Sequence, residues 1–123
     1  MTAITDEYMR EMLAKTRTYT AVFLKATPRR REPGSTAIVW EHGRRNFALR
    51  AAGILPVVCP VIDDSGWSGI GIFDAPPDEV MRIMDADPGV QAGIFTYEVH
   101  PVRGFPGSSL PAAPPPGDPS GPP

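Results

Sequence analysis

The sequence is poor in the residues that mark specialised classes of protein. One cysteine, Cys59, stands among 123 residues, which excludes an intrachain disulfide and a thiolate zinc cluster. The two histidines, His42 and His100, do not lie in a tight run of carboxylates, so no metal site and no cofactor are expected. Neither sign of charge dominates: 12 Lys+Arg against 14 Asp+Glu leave a formal net charge of -2. A strongly basic nucleic-acid or membrane-surface binder is not expected from that balance. No apolar run approaches the ~18 residues of a membrane-spanning helix. Thr2 to Arg10 lacks the basic stretch followed by an apolar one that marks a secretory leader. A soluble cytoplasmic protein is therefore expected. The motifs G-x-x-x-x-G-K-S/T, G-x-G-x-x-G and G-x-S-x-G do not occur, which argues against phosphate-binding loops and the serine-hydrolase elbow.

What the chain has in excess is proline, at 16 residues. Eight of them, with four glycines, fall between Gly104 and Pro123. Such a stretch forms neither ladder nor helix and has little to bury. Residues 108–123 read as a disordered or polyproline-like tail. Pro111 to Pro114 matches P-x-x-P by letter but lacks flanking basic residues, so a solvated terminus is the better reading. The remainder divides into an N-terminal helix at 1–17 and one domain at 18–107.

Thr5 suits an N-cap, Asp6 and Glu7 suit a first helical turn, and Tyr8, Met9, Met12 and Leu13 recur at helical spacing. Thr18 to Ala26 is aromatic and β-branched and predicts a strand. Thr27 to Ser35, with two prolines and Arg29-Arg30-Arg31, predicts a basic loop: usually a solvated one, alternatively a lid that captures an anion. Thr36 to Ala52 predicts the main helix, stopped by Gly53. One stripe holds Trp40, Phe47 and Ala51, and its neighbour holds Ile38, His42 and Leu49. Ile54 to Ile62 is apolar but carries Pro56 and Pro60, which assigns that strand to a sheet edge. Asp63 to Gly66 is a turn, and Trp67 to Phe73 completes a hairpin. Gly69 and Gly71 leave one face of that strand bare for close packing or for a ligand. Pro77-Asp78-Glu79 opens a second helix with Val80, Ile83 and Met84 buried, ended by Asp87-Pro88-Gly89. Ala92 to His100 predicts the last strand.

The order is a helix followed by β-α-β-β-α-β, the ferredoxin-like α+β pattern with an antiparallel sheet. Both faces of the first strand are apolar, and two helices cover only one. A second copy packing sheet to sheet is the simplest cover, as a homodimer.

Two residues stand out chemically. Asp87 lies three, four and seven residues after Met84, Ile83 and Val80, on the continuation of a buried stripe. A carboxylate there is costly unless satisfied; the plain alternative is an Asp-Pro turn at a helix end. His42 lies on an apolar stripe, either as a satisfied core residue or as a catalyst. If the two meet, the carboxylate fixes the imidazole's tautomer and the pair can trade protons. Cys59 has no activating neighbour in sequence and reads as a small hydrophobe.

Several segments resemble the YCII-related family: Trp40-Glu41-His42, Ala52-Gly53-Ile54-Leu55, Cys59-Pro60, Asp87-Pro88-Gly89-Val90-Gln91-Ala92-Gly93 and Glu98-Val99-His100-Pro101. The resemblance runs from about Tyr19 to Pro101. It implies a ferredoxin-like fold paired into a dimeric α+β barrel, similar in architecture to muconolactone isomerases. It also implies a His-Asp catalytic pair, which falls on His42 and Asp87. One member of that family eliminates hydrogen chloride from a chlorinated hydroquinone. Cys59 stands where the family usually has glycine, and the N-terminal helix, basic loop and proline-rich tail are additions.

Together these readings lead to the expectation of a cofactor-independent lyase or isomerase. His42 would be general acid/base and Asp87 its partner, acting on a cyclic or aromatic carbonyl compound. Arg44, Arg45, Cys59 and Tyr97 are the expected substrate contacts. The alternative is a non-catalytic module that binds a small molecule or a protein.

Overall fold

The computed structural model describes residues 2–112; the proline-rich tail expected at 108–123 lies outside them from residue 113 onward. The elements are α1 (Asp6–Ala14), β1 (Arg17–Ala26), α2 (Ser35–Ala51), β2 (Val57–Pro60), β3 (Trp67–Phe73), α3 (Pro77–Asp85), α4 (Pro88–Gln91) and β4 (Phe95–Gly104). A single 3-10 turn, Pro28–Arg31, separates β1 from α2.

Among the described residues four strands form one sheet in the order β2-β3-β1-β4. Every neighbouring pair is antiparallel, which is the ferredoxin-like arrangement. The long strands β1 and β4 pair from Arg17↔Gly104 to Ala26↔Phe95. β2, with its terminal Pro60, occupies an edge, where a missing donor breaks no central ladder. The helices cover one face. Between them and the sheet lie the buried side chains of Val22, Leu24, Leu55, Phe73, Val80, Met84, Ile94 and Phe95. Thr20 is fully buried on β1, and its hydroxyl donates to the Ala75 carbonyl at 2.6 Å, tying the strand to the start of α3.

The register of β1 against β3 slips at one point. Leu24 faces Gly69 but Lys25 faces Trp67, so β3 spends two residues where β1 spends one. The extra residue turns Trp67 off the face of Gly69 and Gly71. Its ring meets Phe23 edge-on at 6.3 Å, beneath the Lys25 ammonium at 5.4 Å. This open face also carries Ile70, 40% exposed, and no element among the described residues covers it. The N-terminal helix α1 is capped as expected, Thr5 accepting from the Tyr8 amide at 3.1 Å, yet it buries no residue. Trp40 and Phe47 on α2 are likewise largely exposed.

The segment after α3 departs from expectation. Asp87-Pro88-Gly89 does not close the second helix. That helix ends at Asp85, and Asp87 is the N-cap of the separate short helix α4, with Pro88 in its first turn. An aspartate before a proline satisfies both requirements of a helix start, so the same letters serve initiation better than termination. Strand β4 accordingly begins at Phe95, three residues later than the apolar pattern from Ala92 suggests.

Gly89 holds α4 against the sheet: a Cβ there would lie 2.6 Å from Phe95 Cδ2 and 3.1 Å from Asp87 Oδ2. Phe95 is a buried core ring and has little room to yield. Gly89→Ala is expected to destabilise the protein by about 1–3 kcal/mol, the usual cost of overpacking, read as a lowered urea midpoint at unchanged slope.

Candidate functional site

α2 turns the His42 ring inward against Phe95, with ring centroids 4.9 Å apart. α4 brings Asp87 to the same point from the other side. The Asp87 carboxylate is 1% exposed, and such a group persists only if each oxygen has partners. Oδ2 accepts from the Gly89 and Val90 amides at 2.9 and 3.2 Å. His42 Nδ1 donates to the carboxylate, 2.8 Å from Oδ1 and 2.9 Å from Oδ2. The Arg45 guanidinium stands 3.7 Å from Oδ1. Burial pushes the carboxyl up, but the hydrogen bond and charge of His42 and the Val90 and Gly89 amides outweigh it. Asp87 is left below the ordinary carboxylate value.

An ionised Asp87 settles the imidazole tautomer. Only a donor can face it, so Nδ1 carries hydrogen and Nε2 in the neutral ring is an acceptor. The Asn46 amide, one helical turn on, donates to Nε2 at 3.2 Å. The orientation of that amide follows from the tautomer, since only its nitrogen can donate.

His42 and Asn46 form part of the wall of a cavity of about 650 Å³ between α2 and the helix-covered face of the sheet. Val22, Leu24, Leu55 and Phe73 give it an apolar interior, and Gly69 and Gly71 keep its floor free of side chains. Its rim carries Arg30 and Arg31 from the 3-10 turn and Asp63 and Asp64 from the β2–β3 hairpin. A volume of this size suits a small organic molecule.

The other expected contacts are distributed differently. Arg45 bears on Asp87 rather than on the cavity. Arg44 is exposed and paired with Glu41 at 3.1 Å, away from the cavity wall. Tyr97 lies over α3, where its hydroxyl donates to Asp85 at 2.6 Å. Burial and that carboxylate push its phenol up to about 12. Cys59 borders the cavity through its backbone, its carbonyl being 3.5 Å from where a Gly69 Cβ would stand. Its pairing with Ile70 sets the thiol on the opposite face of the sheet. His100 is also on that open face, 6.0 Å from the Phe23 ring.

The basic loop divides its arginines. Arg29 donates to the Ala92 carbonyl at 3.3 Å, and Arg30 is steadied by Ser35 Oγ at 3.2 Å. Sequence reasoning passed over Asn46 and the tie of Arg45 to Asp87. The signal for Asn46 was present in its i+4 spacing from His42. Among the described residues no three His, Cys, Asp or Glu side chains gather as a metal-ligand set, and no helix is long and apolar enough to cross a membrane.

No family model and no curated protein matches the chain. Among solved structures it is similar to 5-chloro-2-hydroxyhydroquinone dehydrochlorinase (TftG) from Burkholderia phenoliruptrix AC1100, in complex with 2,5-dihydroxybenzoquinone. Identity is 22%, coverage is 67% of this chain and 90% of that chain, and the TM-score is 0.46.

The lowered Asp87 value has a consequence for stability. A carboxyl depressed by folding contributes stability that is complete above its unfolded value of about 3.9 and is lost as pH falls through the folded value. Asp87→Asn is expected to flatten the acid limb of the pH–stability curve below about pH 4. Urea unfolding at a series of pH values measures this.

Proposed function

We propose that the chain is a small-molecule lyase or isomerase of the YCII-related kind, working by proton transfer through His42 and Asp87. One observation carries the reading: an imidazole held by a buried carboxylate at 2.8 Å, in the wall of a cavity of about 650 Å³. The Nδ1–H is committed to Asp87, which leaves Nε2 as the basic atom. In the reaction Nε2 takes a proton from carbon beside a carbonyl group. The C–H pair moves onto the carbonyl oxygen as an enolate, and the imidazolium is stabilised by Asp87 without proton transfer to it. Return of the proton to another carbon completes an isomerisation. Departure of a leaving group from the neighbouring carbon completes an elimination. This chemistry needs only side chains, and the apolar walls favour a cyclic or aromatic substrate.

Arg30 and Arg31 at the rim suit an anionic substituent better than Arg44 does, because Arg44 is paired with Glu41 away from the cavity. Arg45 neutralises Asp87 from behind, so its role is in the charge balance of the pair.

The test is turnover of small enolisable ketones and chlorinated phenols. His42→Ala is expected to lower kcat about 10²–10⁴-fold, the range for loss of a general acid–base group. Asp87→Asn is expected to lower kcat while leaving KM nearly unchanged. Full activity in His42→Ala sinks the reading. Ligand affinity that survives His42→Ala, with no turnover of any compound by the wild type, assigns the cavity to a binding module instead.

The working unit is proposed to be a homodimer joined through the open sheet face. Phe23, Trp67 and Ile70 supply an apolar surface there that the elements among the described residues leave uncovered. Sedimentation equilibrium is expected to give twice the chain mass for the wild type. Ile70→Glu places a charge in the middle of that face and is expected to shift the population toward the monomer.

A further inference from the structure

Resting on the proposal that His42 is the base, we infer that Asn46 is a catalytic residue. Its side-chain amide, 3.2 Å from His42 Nε2 in the wall of the same cavity, donates to the substrate oxygen that becomes anionic when His42 takes the proton. The site then takes compounds whose acidic proton sits on an oxygen, or on the carbon next to a carbonyl, and that leave an enolate or phenolate behind.

At rest Nε2 is an acceptor and the Asn46 amide donates to it. Once Nε2 gains a proton it is a donor too. In the resting orientation of the amide two donors then face each other at 3.2 Å, and only a turned-over amide or an outside acceptor relieves them. An anionic oxygen at the cavity side of both atoms resolves the conflict by accepting from each. With the amide nitrogen facing Nε2, the arrangement therefore disfavours a protonated His42 alone and suits a protonated His42 beside an oxyanion. That is the difference a proton-abstracting site needs between its states.

Among the donors that line the cavity, Asn46 is the one in hydrogen-bond contact with His42 Nε2. Arg45 is held by Asp87 and Arg44 by Glu41. Arg30 and Arg31 stand on the rim turn, and Asp63 and Asp64 are acceptors only. A neutral amide also has an advantage over a cation in this place. It stabilises the oxyanion without opposing the positive charge that His42 acquires one helical turn away. The step balances: the proton goes to Nε2, and the electron pair stays on oxygen when an O–H bond breaks, or forms the enolate double bond and drives the carbonyl pair onto oxygen when a C–H bond breaks; Asn46 contacts that oxygen in both cases.

The test uses para-nitrophenol, whose ionised form is yellow, with nitrobenzene as the control that lacks a hydroxyl. The full chain is titrated below the solution pH at which the phenol ionises. The wild type is expected to bind it as phenolate. Asn46→Ala is expected to weaken phenolate binding about 10- to 100-fold, the worth of a hydrogen bond to a charged group, with nitrobenzene binding unchanged. Asn46→Asp has the same shape and replaces the donor by a carboxylate; it is expected to abolish phenolate binding, and it carries the test if the alanine variant does not fold. Equal phenolate affinity in wild type and variants overturns the role of Asn46 and leaves the His42 base standing. A wild-type complex that fails to form, or that keeps the phenol neutral, overturns the base and the Asn46 role together.

Discussion

A carboxylate buried to 1% exposure is the constraint around which this molecule is arranged. Left alone, the Asp87 charge would cost several kcal/mol. Its partners come from separate parts of the chain: the start of α4 supplies two amides, and α2 supplies an imidazole and a guanidinium. Withdrawing any one of them weakens the set that offsets this charge. The bond between His42 and Asp87 is therefore also the fastening between the main helix and the turn that precedes the last strand. Phe95 packs beneath both, on the ring of His42 and under Gly89. The geometry proposed for chemistry and the geometry of the core are held by the same contacts.

The way the carboxylate is satisfied determines what the imidazole can do. Donation from Nδ1 fixes the tautomer and leaves Nε2 with the lone pair, which the Asn46 amide meets in the cavity wall. Arg45 leaves the Asp87 environment close to neutral before any proton arrives. The cavity itself results from omission: two glycines on β3 provide no side chains where α2 stands off from the sheet.

Much of this was legible from residue patterns, and the exceptions have physical causes. Prolines at 56 and 60 marked β2 as an edge, and Gly53, with φ of 77°, ended α2 where a left-handed residue was needed. The order of elements gave the sheet topology because short antiparallel connections leave few alternatives. The helix start at Asp87 has the sequence pattern of a helix end. Periodicity carried the stripe of α3 forward, whereas capping chemistry was the stronger local rule. Substrate contacts were the least legible. Arg44 and Arg45 are adjacent in sequence, but neighbouring residues on a helix point about 100° apart, so one turns to solvent and the other to Asp87. Cys59 fell among the cavity residues through its carbonyl, a contact that side-chain reasoning cannot see.

The single-residue slip between β1 and β3 governs more than the local ladder. Strand alternation without it would swing the indole of Trp67 round to the side of Gly69 and Gly71. Capacity at that end of the site is thus gauged by strand length as well as by residue identity. Deleting one residue near Ser68 would work as a volume control, filling the floor with a ring the protein already carries, whereas point substitutions adjust the same space only by a few atoms at a time.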